Sequence, residues 1–409
     1  MNILFIHQNF PAQFRFVSEA LAKKGHAVKA LGIHGKNVPG VIVMNYEVTK
    51  QNTPNIHPLV LEFETKITRG ESCMLALLKI KNEGYTPDLI IAHPGWGESI
   101  FAKDIFTEAV LVNYIEFFYS PLTDIIFDPE YRPDDLTARI NMRVKNANNL
   151  INLDAMDAGL SPTQWQFSSI PKIYQKKVKT IFDGVNTNIL KPQKREALKI
   201  QLADKKELLL KEGDEIVTYV SRNLEPYRGY HSFMRSLPKL MKERPQAKII
   251  IVGDNKTSYG KEPPQGQTWQ RIFLDEVKDR IDLNRIFFLG PIAYEAYIAI
   301  LQISSVHIYL TYPFVMSWSA IEAMSCGCLM VGSKTEPVQE FIQHQKNGLL
   351  VDFFDYDEIA NTLADALANN KKYAVLRNAA RETVVKQYDL ESVCLPKQIE
   401  YFESLVKQI

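Results

Sequence analysis

Cysteine is scarce in this 409-residue chain, with only Cys73, Cys326, Cys328 and Cys394. Four scattered residues cannot build a disulfide framework, and Cys326-Gly-Cys328 lacks the second pair that a zinc site needs. All four read as free thiols of a reducing compartment. Charge of one sign is also missing. The 48 Lys and Arg against 47 Asp and Glu leave a net charge of +1, which excludes bulk electrostatic affinity for nucleic acid. No uncharged run approaches the ~18 apolar residues of a membrane span. The apolar start at residues 1–7 has neither the basic opening nor the long apolar stretch of a signal peptide. No short-period repeat, low-complexity tract, or Ser/His/Asp or Cys/His arrangement for acyl or thiol chemistry stands out. The expectation is a cytoplasmic protein, soluble or at most peripheral to the inner face of the membrane.

What is present is a regular alternation. Apolar runs at 2–6, 27–31, 41–44, 59–63, 89–92, 110–114 and 159–161 read as strands. Helical patterns at 13–24, 66–82, 97–107 and 134–156 lie between them. A second series follows, with strands at 216–220, 248–252, 286–289, 306–310, 328–331 and 349–351. Its helices are expected at 230–244, 268–277, 293–301, 357–368, 373–385 and 391–409. Such alternation predicts α/β architecture, two Rossmann-like doubly wound parallel sheets. The chain is too long for one core. The Lys-, Gln- and Glu-rich stretch after residue 184 marks the boundary: one domain at 1–190, a linker at 191–213, a second domain at 214–390 and a terminal helix at 391–409. Two such domains would face each other across a cleft.

The most informative stretch is 317–328. Ser317 can cap a helix whose first turn offers free backbone N–H groups to an anion. Glu322, five residues on, is placed to accept hydrogen bonds from ribose hydroxyls, and Gly327 ends the helix before the next strand. An ordinary βαβ unit with a solvated Glu is the alternative reading of this spacing.

Around it stands an ordered series: Ser221-Arg222 through Arg228-Gly229, Val252-Gly253-Asp254, Phe288-Leu289-Gly290, the 317–327 helix, Glu336-Pro337 and Asn347-Gly348. Over about 140 residues this series resembles the retaining nucleotide-sugar glycosyltransferases of the family 4 group, which have the GT-B fold. The first half is similar to one branch of that group through His7-Gln-Asn-Phe-Pro, Ala92-His93-Pro-Gly-Trp96-Gly-Glu98 and Phe182-Asp183-Gly184.

The resemblance implies a retaining transfer of a sugar from a nucleoside diphosphate donor, of the UDP or GDP type, to a hydroxyl. The acceptor would be a glycan, a lipid-linked glycan or a small molecule. It implies no cofactor and no metal. Asp355-Tyr-Asp357 is the only Asp-x-Asp triplet, and it reads as a helix cap. Arg222 and Arg228 would neutralise the departing diphosphate. Ser317, Trp318, Ser319, Glu322, Phe288, Leu289, Gly253 and Glu336 would hold the donor nucleotide. His93 would take part from the first domain. Asn9, Phe10, Trp96, Glu98 and Glu116 are candidates for the acceptor side, and the terminal helix would cross back to the first domain. Lys172, Lys176, Lys177 and Lys179 form a basic cluster; a solvated face and a contact with anionic lipid are its two readings. One departure stands out: the family's second acid, eight residues before Glu322, is Phe314 here. An epimerase or phosphorylase on the same fold, and a non-catalytic nucleotide-sugar-binding partner subunit, are the other functions compatible with these residues.

Overall fold

In β1, Asn2–Ile6, Ile3 and Phe5 enter one buried cluster. Leu4 and Ile6 enter another. With the strand period of two, this buries both faces of the sheet, as a doubly wound fold requires. The computed structural model describes residues 1–120, 123–132, 135–202 and 207–407. The described chain divides into two units.

Unit 1 comprises Met1–Ile126, Arg132–Gly184 and Leu390–Ile409. After β1 come β2 (Ala27–Gly32), β3 (Val41–Asn45), β4 (Leu89–Ala92), β5 (Val110–Tyr114), β6 (Ala158–Ser161) and β7 (Val178–Thr180). They form one sheet in the order β3-β2-β1-β4-β5-β6-β7. Every pair is parallel. The apolar run at 59–63 is no strand. It lies in the helix Pro58–Asn82, whose N-terminus is capped by His57 and opened by Pro58. The helix Leu395–Val406 covers one face of this sheet, with Tyr401 and Phe402 in the cluster of Ile3 and Phe5. Tyr401 donates its hydroxyl to the Gly159 carbonyl at 2.9 Å.

Unit 2 comprises Phe127–Tyr131 and Val185–Asp389. It opens with an antiparallel pair, β8 (Ala197–Gln201) and β9 (Glu207–Lys211). The parallel strands β10 (Ile216–Asn223), β11 (Lys248–Asp254), β12 (Ile286–Gly290), β13 (Val306–Tyr309), β14 (Met330–Ser333) and β15 (Leu349–Val351) follow. Their order is β12-β11-β10-β13-β14-β15. Within the stretch expected as a linker at 191–213, residues 197–201 and 207–211 are thus strands. Leu208 and Leu210 are buried beside Ile216 and Ile250, with Leu198 and Ile200 packed against them. Alternating charged residues mask this amphipathic pair in the sequence.

Residues 127–131 stand apart in sequence from the rest of unit 2 and are firmly built into it. Phe127 packs against Tyr312, Phe353 and Phe354. Tyr131 meets His231 and Trp269 edge-on. Glu130 receives two nitrogens of Arg235 at 2.6 and 2.9 Å.

Candidate functional site

In open α/β sheets, ligands bind at the carboxyl ends of strands where the strand order reverses. That point lies between β10 and β13 in unit 2 and between β1 and β4 in unit 1. Most of the sequence-expected residues sit there.

In unit 2, Arg222 lies one residue before the end of β10, exposed, with no hydrogen bond or ion pair among the described residues. Arg228 closes the short turn Pro226–Arg228 and is buried. Gly229 follows at φ 68°. A Cβ there would run into the side chain of Leu310, so only glycine lets the chain turn directly into the helix Tyr230–Glu243. One terminal nitrogen of Arg228 donates to Thr311 Oγ1 at 2.9 Å, to the Val315 carbonyl at 2.9 Å and to the Tyr309 hydroxyl at 3.3 Å. Its other terminal nitrogen and Nε have no hydrogen-bond partner among the described residues. The guanidinium is fastened along one edge only.

The loop leaving β13 leads to the helix Trp318–Ser325. Ser317 Oγ accepts the Ser319 N–H at 3.3 Å, while the Ser317 N–H donates to the Tyr309 hydroxyl at 2.8 Å. Trp318 is 44% exposed. Glu322 meets two tyrosines that sequence reasoning missed: Tyr294 donates to Oε1 at 2.9 Å and Tyr297 to Oε2 at 2.7 Å. Burial pushes the Glu322 carboxyl up, and the two hydroxyls pull it back in part. The only advance signal was the three-residue spacing of Tyr294 and Tyr297, which sets them on one helix face.

Phe314 is 5% exposed and packs against Tyr227 and Tyr259 at centroid distances of 5.5 and 4.8 Å. It is therefore not itself an open wall for a sugar. Tyr259, 42% exposed, lies over it, with the Arg228 guanidinium 5.3 Å from the Tyr259 ring. The Tyr259 loop is fixed by the buried Glu225, whose carboxylate accepts the N–H groups of Ser258, Tyr259 and Gly260. Gly253 fits against the Ser221 carbonyl, 2.8 Å from where a Cβ would stand. Phe288 and Leu289 lie half-buried on β12, the edge strand, and Glu336 is exposed at the start of a one-turn helix. Asp355 accepts the Glu358 N–H at 2.8 Å and caps the helix Tyr356–Ala368.

In unit 1, His7 follows β1 and His93 follows β4, with ring centroids 5.3 Å apart. His7 Nδ1 accepts the Asn9 N–H at 2.9 Å, so the ring proton sits on Nε2, 3.1 Å from Gln13 Oε1. Burial, aided by His93, lowers the His7 pKa to about 3. His93 Nδ1 accepts the Gly95 N–H at 3.2 Å, which turns its Nε2 toward Glu116 at 3.4 Å. Trp96 stacks on His93 at 4.3 Å and Tyr114 lies at 5.9 Å.

His93, Asn113, Glu116, Phe117, Tyr119 and Asn152 line an open cavity. The helix Asp135–Ala155 organises it through asparagines. Asn146 binds both backbone groups of Tyr119, and Asn148 donates to the Pro94 carbonyl at 2.9 Å. Asn152 accepts from Ser99 at 2.7 Å. Four asparagines in residues 146–152 are poor helix formers, and that density was the signal available in the sequence.

Two acceptor-side candidates are corrected. Phe10 is wholly buried against Phe5, because the turn after β1 folds it inward. Glu98 is 1% exposed, and neither carboxylate oxygen has a hydrogen-bond partner among the described residues. Burial pushes its pKa up. Gly97, at φ 101°, has no room for a side chain beside the Lys66 backbone and turns Glu98 into the core. Asn9 is exposed, and Trp96 and Glu116 are half-buried. In the basic cluster, Lys177 donates to the Met156 carbonyl at 2.8 Å and Lys179 lies 5.3 Å from the Tyr401 ring. Lys172 and Lys176 are exposed. No helix among the described residues is long and apolar enough to cross a membrane.

Two parallel doubly wound sheets, with polar residues gathered at their switch points, define an α/β protein of the GT-B class. Solved structures agree on the fold. Anabaena Alr3699/HepE, in complex with UDP and glucose, matches at TM-score 0.68 and 20% identity over 99% of each chain. Sucrose-phosphate synthase from Thermosynechococcus elongatus matches at TM-score 0.73 and 17% identity over all of both chains. Residues 24–190 fit the family model for the glycosyl transferase family 4 group, and residues 201–383 that for glycosyl transferases group 1. The chain belongs to this family 4, group 1 type of glycosyltransferases.

Among curated relatives, N-acetyl-alpha-D-glucosaminyl L-malate synthase of Bacillus anthracis is 23% identical over 230 residues, 56% of this chain and 55% of that protein. The uncharacterized glycosyltransferase MJ1069 of Methanocaldococcus jannaschii is 27% identical over 188 residues, 45% of this chain and 44% of that protein. The chain thus spans about half the length of the curated relatives it matches.

Proposed function

We propose that this protein moves a glycosyl group from a nucleoside diphosphate sugar to a hydroxyl acceptor, with retention at the anomeric carbon and without a metal. The observation that carries the reading is Arg228, buried and fastened along one edge, with its remaining donors unengaged. In the transfer, the bond from the anomeric carbon to the diphosphate breaks and a bond to the acceptor oxygen forms on the same face. The leaving phosphate oxygen takes the acceptor's proton, so charge stabilisation and positioning matter more than a protein base. Arg228 and Arg222 meet the negative charge as it develops, beside the start of the Trp318–Ser325 helix; the Ser317 and Ser319 N–H groups are engaged by the Tyr309 and Ser317 hydroxyls. Glu322 accepts from the ribose hydroxyls. The unit 1 cavity, with His93 and Glu116, takes the acceptor. A neighbour of the same fold bound to UDP and glucose supports a donor of this kind.

Titration calorimetry with UDP and GDP, followed by turnover of a panel of their sugar conjugates, tests the proposal. Binding that Arg228→Ala leaves unchanged would remove the assignment. One observation favours a second reading: Phe314 brings no carboxylate to the sugar side. A nucleotide-sugar-binding partner without catalysis would bind diphosphate with normal Arg222 and Arg228 dependence, yet turn over no donor with any acceptor.

A further inference from the structure

Glu322 is half-buried, and each of its oxygens is held by a different phenol. Tyr294 and Tyr297 lie on one helix, Tyr294–Ile303, with rings 5.8 Å apart. The two differ in exposure: Tyr297 is 8% accessible and Tyr294 is 48% accessible. An ionised carboxylate has about four acceptor positions. Two are occupied by the phenols, which leaves one free position on each oxygen, a spacing suited to two adjacent hydroxyls. We propose that Tyr294, Tyr297 and Glu322 form a clamp that reads the vicinal diol of a ribonucleotide, with the tyrosines as positioning residues. This rests on the donor-site reading above.

Two consequences of the arrangement support it. Each phenol fixes the rotamer of the acid before a ligand arrives, so the ordering cost is not charged against binding. Each phenol also favours the ionised acid, which burial disfavours. Burial keeps both tyrosines protonated and therefore able to donate. Among the described residues the Cys326 thiol also faces this acid, and burial keeps it protonated.

The experiment uses the full chain and compares binding of UDP and GDP with that of their 2′,3′-dideoxy analogues. Two charge-assisted hydrogen bonds to a diol correspond to a preference of about tenfold or more for the ribonucleotide. Tyr297→Phe and Tyr294→Phe should each cut that preference to about threefold or less, while affinity for the dideoxy analogue stays the same. In both variants the acid limb of ribonucleotide binding should move to higher pH, because a lost donor raises the Glu322 pKa. A general folding defect would weaken both nucleotides equally and move no pH limb. Tyr294 is exposed, so its variant supplies the test even where Tyr297→Phe fails to fold.

Glu322→Gln separates the two levels of the argument. If it abolishes the preference while both tyrosine variants keep it, the clamp is wrong and the ribose site stands. If wild-type protein binds neither diphosphate, or binds ribo and dideoxy forms equally, the ribose site itself falls and the clamp with it.

Discussion

Tyr312 donates its hydroxyl to the Asp128 carboxylate at 2.5 Å. His231 Nε2 lies 3.0 Å from the same oxygen without lining up for a hydrogen bond. All three residues are buried. Burial alone would raise the pKa of Asp128, yet His231 and Tyr312 together hold it below the usual carboxylate value. Tyr312 in turn packs against Tyr227, their rings tilted with centroids 4.6 Å apart, so residues 127–131 support the loop that carries Phe314. Asp128→Ala removes one partner from a buried polar cluster and should cost about 3–5 kcal/mol. Denaturant unfolding read by Trp269, which contacts Tyr131, measures it; a loss below about 1 kcal/mol would show the cluster to be dispensable.

Acid should destabilise the protein well above ordinary carboxylate titration. His7 and His307 have folded pKa values lowered to about 3 from 6.5, chiefly by burial. Below pH 6.5 the unfolded chain binds protons that the folded chain refuses. Stability is therefore fully present above that pH and falls as pH drops, by up to about 1.4 kcal/mol per pH unit for each histidine. Unfolding curves between pH 7 and pH 4 test the slope. His307→Gln should flatten it, and an unchanged slope would reject His307 as a source.

The two arginines should separate in behaviour. Arg222 is exposed and unpaired among the described residues, so Arg222→Ala should leave stability within about 0.5 kcal/mol and weaken diphosphate binding about tenfold. Arg228→Ala also removes a donor from the buried Thr311 hydroxyl and from the Val315 carbonyl. It should lower the melting temperature as well as affinity. Equal effects of both variants on melting would contradict the geometry.

Phe314 is expected to matter first for packing. Phe314→Ala should cost about 3–5 kcal/mol, while Tyr259→Ala, at an exposed ring, should cost far less and show its effect in donor turnover. Thermal unfolding beside turnover of a nucleotide-sugar panel distinguishes them. A large stability loss at Tyr259 would mean that its ring is structural.

Strands buried on both faces were legible because Ile, Leu and Val runs such as residues 248–252 carry their own burial signal. The switch-point residues Arg222, Arg228, Ser317 and Glu322 were legible through their order. The run at 59–63 read as extended because five residues are too few to tell the two periods apart; capped by His57 and opened by Pro58, it is helical. Phe10 and Glu98 read as site residues because local sequence does not reveal which way a turn faces. Tyr294 and Tyr297 reach Glu322 across more than twenty residues, and Asp128 reaches Tyr312 across 184. Such contacts are decided by tertiary packing, and beyond the shared helix face of the two tyrosines the sequence carries no trace of them.

Three stretches of chain make up unit 1 and two make up unit 2, so neither can be cut out as a contiguous fragment. A clone spanning 185–389 would carry His231, Tyr312 and the Phe353–Phe354 pair without Phe127, Asp128 or Tyr131. It would expose a sticky aromatic slot and invite aggregation. Chimaeras with related enzymes meet the same constraint. A graft at Gly184 alone would pair one parent's slot with the other parent's residues 127–131, and the two would have to be exchanged together.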